Sequence, residues 1–323
     1  MDAEQLAEWL KQHLPRASGL NLNPRSVRVS HVLNWGGFVN HSFSVDDGSV
    51  RYHLKITDDL DSVGKLQTWR KLHDLLERRY RAPALIDWMD FPEIGFAGLL
   101  LQQVDGGSAN FCGNPALVRQ LIELADRLHK DADIQSSLAA SGPEKTCLDH
   151  FVETYIDRFT ADLEAVAAGQ PPFVSSTLLN WMRHETDLLR EIANSAQAFH
   201  KPAVEPVHGD LNEGNVLVTP GDWLVVDWND LALGDPAADL AVLLWPMVYQ
   251  GRKWSEFPIP DVEDGFAERI EVCLRAQLLD EVIDPLADYV EARVVPSKQV
   301  EIELFKRKRH EEALERYRTV WCP

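Results

Sequence analysis

Cysteine is scarce in this sequence and never occurs in closely spaced pairs. The chain has four cysteines, and no two of them have the spacing of a metal site or a redox pair. They are Cys112, Cys147, Cys273 and Cys322. With no secretion signal recognisable in the sequence, we expect reduced thiols and a cytoplasmic location.

Long uncharged apolar runs are also missing. A membrane-spanning helix needs about 20 consecutive apolar residues. The best candidate, residues 237–249, is shorter and contains Asp239. Residues 1–15 have the pattern of a polar amphipathic helix rather than a basic segment followed by an apolar core. We therefore expect no membrane partner.

Positive charge is in short supply. The 323 residues include 32 Lys and Arg against 51 Asp and Glu, a net charge of −19. This balance disfavours a general affinity for nucleic acid, which requires clustered positive charge. Most of the acidic excess lies after residue 100. It is explained by a soluble acidic surface or, alternatively, by a second half that attracts a cationic ligand.

What is present is a change from strand-like to helical patterning near residues 105–108. Strands are predicted at 27–33, 38–45, 50–57, 84–88 and 97–104, with a helix at 61–79. Later helices are predicted at 115–130, 148–168, 176–199, 235–250, 261–295 and 299–317, around one short β island at 206–227. The prediction is an α+β protein with an N-terminal antiparallel sheet lobe, residues 1–105, and a larger, mainly helical C-terminal lobe, residues 106–323.

The β island holds polar residues at the ends of short apolar strands. Asn215 and Asp227 flank a predicted tight hairpin, which brings them together. Their oxygen atoms are the ligands that Mg²⁺ prefers. Asp210 lies in the loop before this hairpin, where a carboxylate can orient a hydroxyl and accept its proton.

This arrangement resembles the catalytic core of the aminoglycoside phosphotransferase and choline kinase family. The ordered parts of that family's pattern are all found here, as His208-Gly209-Asp210, Asn215, Asp227-Trp228, Gly234-Asp235-Pro236 and Asp239-Leu240-Ala241. The resemblance covers roughly residues 25–250 and implies a two-lobed, protein-kinase-like fold. It implies that Asp210 is the catalytic base and that Asn215 and Asp227 hold Mg²⁺ on the nucleotide. Asp239 would support the catalytic loop from behind.

Weaker signals in the first lobe agree with this interpretation. Lys55 lies on the third predicted strand, where an inward-pointing ammonium can neutralise phosphates. Gly36 and Gly37 lie between the first two strands, where backbone N–H groups could cover phosphates. By resemblance, the carbonyl of Gln102 and the amide of Val104 would bind the adenine edge.

Two positions depart from the family pattern. The family usually has a glutamate in the helix after the third strand, and this helix has Gln67, with Glu77 too far along. Lys55 is therefore expected to have a neutral partner, unless the register differs. Many members have histidine where this chain has Asn212, so the substrate is harder to infer.

The segment between Asp227 and Asp239 is too short for a peptide-docking activation segment. The expected activity is therefore ATP- and Mg²⁺-dependent transfer of the γ-phosphoryl group to a hydroxyl of a small molecule. The acidic second half favours a cationic aminoglycoside, aminosugar or amino-alcohol. The alternative is a non-catalytic nucleotide-binding pseudokinase that acts through partners. Acids that could bind an amine are Asp149, Glu153, Asp157, Asp261, Glu263 and Asp264.

Overall fold

The computed structural model describes residues 3–17, 20, 22–23, 25–32, 41–139, 145–259, 263–292 and 299–321. Contacts between Cα atoms divide the chain into two compact units. The first consists of Met1–Ala109 and Glu213–Leu231, and the second of Asn110–Asn212 and Ala232–Pro323. The boundary that we drew at residue 105 from the sequence stays a prediction.

The strands of the described residues, in chain order, are β1 Arg28–Val32, β2 His41–Asp46, β3 Arg51–Thr57, β4 Leu85–Phe91, β5 Phe96–Gln102, β6 Gly107–Ser108, β7 Glu205–Val207, β8 Val216–Thr219, β9 Asp222–Val225 and β10 Ala232–Gly234. The α-helices are α1 Ala3–Ala17, α2 Leu60–Tyr80, α3 Pro115–His129, α4 Ala132–Ala139, α5 Cys147–Phe151, α6 Arg158–Gly169, α7 Ser176–Ser195, α8 Pro236–Tyr249, α9 Phe266–Glu291 and α10 Gln299–Trp321. Across these residues, no helix has the length and apolar content needed to cross a bilayer.

The first unit is organised around an antiparallel sheet with the strand order β1-β2-β3-β5-β4. Helix α1 buries Leu6, Leu10 and Leu14 in the same core as Phe43 and Ile56 of the sheet. Their spacing of four residues places the three leucines on one face of the helix. A second, three-stranded sheet of the same unit has the order β6-β8-β9.

The two faces of β3 have different tasks because side chains alternate along a strand. Leu54 and Ile56 belong to the apolar core of the unit. His53 and Lys55 lie on the opposite face, and Lys55 is only 6% exposed. Register with β2 and β5 is continuous through Lys55, which pairs with Ser42 and Leu99. This register fixes the direction in which the lysine leaves the sheet.

The second unit is mainly helical, and α9 packs with α6, α8 and α10. Helix α8 is almost wholly buried, as its continuous run of apolar residues predicts. A two-stranded sheet, β7 with β10, precedes it. The antiparallel sheet of the N-terminal region and the helical remainder confirm the predicted α+β class.

The predicted β island is divided between two sheets. Its first strand, β7, pairs with β10, whereas β8 pairs with β9 on one side and with β6 on the other. Its last strand was predicted to reach Asp227 but ends at Val225. The reason is the left-handed backbone of Asp227, with φ 63° and ψ 56°, which cannot continue a strand. The predicted helix at 148–168 forms, with a π-helical stretch at Val152–Asp157 between α5 and α6.

Candidate functional site

The Lys55 side chain is held by oxygen atoms of the segment that follows β9. Its ammonium donates to the Asp227 carboxylate and, over 2.6 Å, to Oδ1 of Asn229. The neutral one of these two partners is Asn229 and not Gln67, whose side chain is exposed. A charged lysine this well shielded from water requires such partners.

Three contacts within the first unit set the conformation of Asp227. The buried Trp228 donates from Nε1 to the carbonyl of Val225 over 2.8 Å, which tightens the turn around Asp227. The Val225 amide donates to the carbonyl of Arg81, the residue that caps α2. The Trp228 ring also lies 6.0 Å from the ring of Tyr80. A left-handed aspartate held in this way is typical of a functional site.

Asn215 directly precedes β8, at the same open end of the β8–β9 hairpin as Asp227. Val216 pairs with Val225, and the amide of Val226 donates to the carbonyl of Asn215 over 2.9 Å. The backbones of Asn215 and Asp227 are therefore one residue from direct pairing. The structure brings together the two residues that the sequence assigned to Mg²⁺.

Charge near Lys55 also acts on His53. Burial, followed by the positive charge of Lys55, lowers the pKa of His53 to about 4, against an opposing effect of Asp227. The imidazole is therefore neutral at physiological pH.

The other first-lobe residues predicted to bind the nucleotide are Gln102, Val104, Gly36 and Gly37. Gln102 ends β5, and its amide donates to the carbonyl of Ala84 over 2.9 Å. Val104 follows the strand, and its carbonyl accepts from the Gln103 side chain. The adenine contacts of Gln102 and Val104 stay predictions. Gly36 and Gly37 lie outside the described residues.

Asp210 lies in the second unit, in a loop after β7. Gly209 has φ 83°, a left-handed conformation that favours glycine in the His-Gly-Asp sequence. The backbone amide of Asp210 donates to Nδ1 of the buried His208. Oδ1 of Asp210 accepts from the side-chain Nδ2 of Asn212 over 2.7 Å. Asn212 therefore orients the carboxylate. His208 acts as a packing and loop-forming residue, as expected from the sequence.

Asp239, near the start of α8, supports this loop. Its carboxylate accepts from the amides of Gly209 and His208, over 2.9 and 3.2 Å, and lies 3.0 Å from Nε2 of His129. Burial raises the pKa of Asp239, but the bonds and charges of His129 and the loop outweigh that effect, so the pKa lies below its ordinary value. The supporting role expected of Asp239 is confirmed by these contacts.

A second buried ion pair fixes the start of α8. Asp235 caps the helix by accepting from the amide of Ala237 over 2.9 Å. The same carboxylate binds Arg269 of α9, which in turn binds Glu263. The helix that carries Asp239 is thereby anchored at its first turn.

Several of these residues were missed by sequence reasoning. They are His129, Asn229 and Arg269, together with Lys65, which donates to Oδ1 of Asp230 over 2.7 Å. His129 and Arg269 lie on amphipathic helices where they read as ordinary polar residues. Asn229 and Asp230 directly follow Asp227-Trp228, and this closeness in the chain was the available signal.

The acids proposed for amine binding are largely engaged within the second unit. Asp149 forms a capping box with Thr146, and Glu153 pairs with Lys145. Glu263 pairs with Arg269 and Lys201. Asp157 is exposed, and the main-chain carbonyl of Asp264 accepts from Lys201. Asp261 lies outside the described residues.

The oxygen ligands and the ammonium group of the first unit fit a nucleotide with Mg²⁺. Asn215 and Asp227 offer an amide oxygen and a carboxylate, both hard ligands. The Lys55 ammonium supplies positive charge suited to phosphate. Among the described residues there is no group of three or more His, Cys, Asp and Glu side chains able to hold a metal ion.

The fold has relatives among solved structures. A choline kinase from Cryptosporidium parvum Iowa II has 17% identity and a TM-score of 0.56, covering 99% of this chain and 96% of that chain. The GDP complex of wild-type aminoglycoside 2'-phosphotransferase-IIIa has 15% identity and a TM-score of 0.59, with 97% and 98% covered. Spectinomycin phosphotransferase with ADP and spectinomycin has 15% identity and a TM-score of 0.57, with 99% and 94% covered. These likenesses confirm the predicted protein-kinase-like fold.

No curated protein sequence matches the chain significantly. The model of the phosphotransferase enzyme family matches residues 31–271, which include Lys55, Asp210, Asn215 and Asp227. This match confirms the predicted enzyme class. Since it runs over more than half of the sequence, the chain belongs to the phosphotransferase enzyme family.

Proposed function

We propose that this phosphotransferase moves the γ-phosphoryl group of ATP to a hydroxyl of a small, amine-bearing molecule, with Mg²⁺. The observation that carries the proposal is the shielded Lys55 ammonium bonded to Asp227, the residue whose backbone lies beside Asn215. This set combines one cation for phosphate with two oxygen ligands for a metal. Solved relatives with GDP and ADP support the nucleotide.

In the proposed reaction, the acceptor oxygen forms a bond to the γ-phosphorus while the bond to the β,γ-bridging oxygen breaks. Asp210 orients the hydroxyl and receives its proton, and Asn212 holds the Asp210 carboxylate in position. Lys55 stabilises the negative charge of the phosphates. Bound Mg²⁺ would be held by Asn215 and Asp227, and it would neutralise charge on the leaving diphosphate.

An amine in the acceptor is supported by two facts. The sequence has a net charge of −19, most of it in the second half. Solved relatives include enzymes named for choline and for aminoglycosides. Because most of the acids first considered for amine binding are paired internally, the amine would bind to other groups or displace these pairs.

The test is phosphate transfer from Mg²⁺-ATP and Mg²⁺-GTP to aminoglycosides, aminosugars, amino-alcohols and neutral sugars. Choline and its uncharged analogue 3,3-dimethylbutan-1-ol form a matched pair that differs in the cation. We expect transfer to amines, and Asp210→Asn is expected to lower kcat by at least about a hundredfold because the proton acceptor is lost. Asp222→Asn, on an exposed carboxylate of the β8–β9 hairpin, is the control.

Equal kcat/KM for amines and their neutral analogues would contradict the amine class. Wild-type turnover by Asp210→Asn would contradict the assignment of the base. Tight binding of Mg²⁺-ATP without transfer to any compound of the panel would favour the pseudokinase alternative.

A further inference from the structure

The helix after β3 contributes a cation to the Lys55 environment, where a carboxylate would be expected. Lys65 of α2 donates to Oδ1 of Asp230 over 2.7 Å. Its side chain is 55% exposed and reaches the segment that follows Asp227. Helix α2 packs against this segment, Trp228–Asp230, within the first unit.

The Asn229 amide lies between the two lysines. Its Nδ2 donates to Oδ2 of Asp230 over 3.2 Å, and its Oδ1 accepts from Lys55 over 2.6 Å. The contacts form a continuous chain of hydrogen bonds from Lys65 through Asp230 and Asn229 to Lys55. Because Asp230 occupies the donor side of the amide, the acceptor side is left for the Lys55 ammonium.

We propose that Asn229 is a positioning residue for Lys55, and that the Lys65–Asp230 pair orients Asn229. The proposal rests on the proposed function, since it concerns how Lys55 meets the phosphates of a nucleotide. In this arrangement the segment after Asp227 positions Lys55, a role that the family usually gives to a glutamate in the helix after the third strand.

A neutral acceptor has a physical advantage at this place. An ammonium bound to Asp227 alone is free to tilt, and a second partner fixes its direction. An amide oxygen fixes the direction of the ammonium without adding negative charge. A carboxylate at the same place would repel the phosphates. The negative charge of Asp230 is matched by Lys65.

The test compares binding of ATP and adenosine to the full chain in the presence of Mg²⁺ by calorimetry. Asn229→Leu keeps the size of the side chain and removes the acceptor. We expect its Kd for ATP to rise about tenfold, since a hydrogen bond to a charged group is lost. Its Kd for adenosine is expected to stay within about twofold, because adenosine has no phosphate for Lys55 to bind.

Two further variants sharpen the test. Asn229→Asp retains an oxygen acceptor but adds negative charge beside Asp230 and close to the phosphates, so its Kd for ATP is also expected to rise. Lys65→Met removes the charge and keeps the length of the side chain, and we expect about a threefold rise in the Kd for ATP. Combined with Asn229→Leu, it is expected to add nothing, since it acts through Asn229. Asp222→Asn is the matched control for loss of a surface ion pair.

The possible results separate a positioning role of Asn229 from a structural one and from failure of the proposed function. If the wild type binds ATP and Asn229→Leu binds it equally well, the positioning role is wrong and the proposed function stands. If both ligands are weakened equally and the Tm falls, Asn229 is merely structural and the proposal is overturned. If the wild type binds no nucleotide, the proposed function fails and this inference fails with it. Asn229→Ala replaces the leucine variant should that variant not fold.

Discussion

The two compact units bury different sets of charged groups. The first shields a cation, Lys55, which Asp227 and Asn229 hold in place. The second buries acids along α9, where Asp280, Glu281 and Asp288 are each less than a tenth exposed. Their cationic partners are Arg158, Arg309 and Lys306. Burial penalises the charged form in both units, so the outcome depends on which partners each group has.

Within the second unit, two buried carboxyl groups show how partners decide. Burial raises the pKa of Glu281 to about 7, and Arg309 opposes this shift only in part. Asp239 is buried at least as deeply, yet its pKa lies below the ordinary value. The difference is that Asp239 meets two backbone N–H groups and His129, whereas Glu281 has acidic neighbours at Asp280 and Asp284.

The largest expected effect comes from removing the charge of Asp239. We expect Asp239→Asn to lower the free energy of unfolding by about 3 kcal/mol at pH 7, because donors are left without an anionic acceptor in a buried site. Guanidinium unfolding measures it. Glu281→Gln makes the same chemical change and is expected to cost much less at pH 8, where the wild-type carboxylate is itself unfavourable. Equal losses for the two variants would show that burial alone sets both energies.

A smaller effect is expected from the pH dependence of the second unit. The pKa of Glu281 in the folded protein, about 7, lies above its ordinary value of 4.5. As the pH falls, the folded state therefore binds this proton at a higher pH than the unfolded chain does. The stability that this protonation contributes is lost as the pH rises through 7. Relative to Glu281→Gln, the wild type should gain about 2 kcal/mol of unfolding free energy between pH 8 and pH 5.

The measurement is urea unfolding of both proteins across that range. Glu268→Gln, on an exposed position of the same helix, is the control and is expected to show no such gain. A constant difference between wild type and Glu281→Gln would contradict the raised pKa.

The smallest effect, with the opposite sign, is expected in the first unit. The pKa of His53 is about 4 in the folded protein, below its ordinary value of 6.5. The unfolded chain therefore binds the proton first, and stability is lost as the pH falls from about 6.5 towards 4. Because His53 keeps some contact with water, we expect a loss of about 1 kcal/mol between pH 7 and pH 5 relative to His53→Gln.

Unfolding of both proteins at the two pH values tests this prediction, with the exposed His184→Gln as control. Parallel curves for wild type and His53→Gln would mean that His53 is protonated as easily in the folded protein as in the unfolded chain. Of the two pH effects predicted for the units, only that of the α9 acids would then remain.

Much of the fold could be predicted from local patterns. Strands β1 to β5, β8 and β9 and helices α2, α3 and α8 lie within a few residues of the predicted bounds, because alternation and helical spacing reflect which face is buried. The division of the β island was not predictable in this way. Strands as short as β7 and β10 carry too few side chains to specify their partners.

The candidate site shows the same limit. Asp210, Asn215 and Asp227 could be named because they lie within one short stretch and follow a known pattern. The partner of Lys55 was left open by the sequence, since Asn229 lies far away in the chain and meets Lys55 only through folding. His129 was missed for the same reason, being distant in sequence from Asp239.

The α+β class could be predicted from local patterning, and the family and the residues proposed for chemistry from a motif that resembles the family's. The surroundings of those residues became known only from the folded chain. Folding bonded Lys55 to Asn229, turned Asp227 into the left-handed region and placed three donors on Asp239. Such contacts join residues far apart in the chain, and their energies depend on burial and partners that no local pattern records.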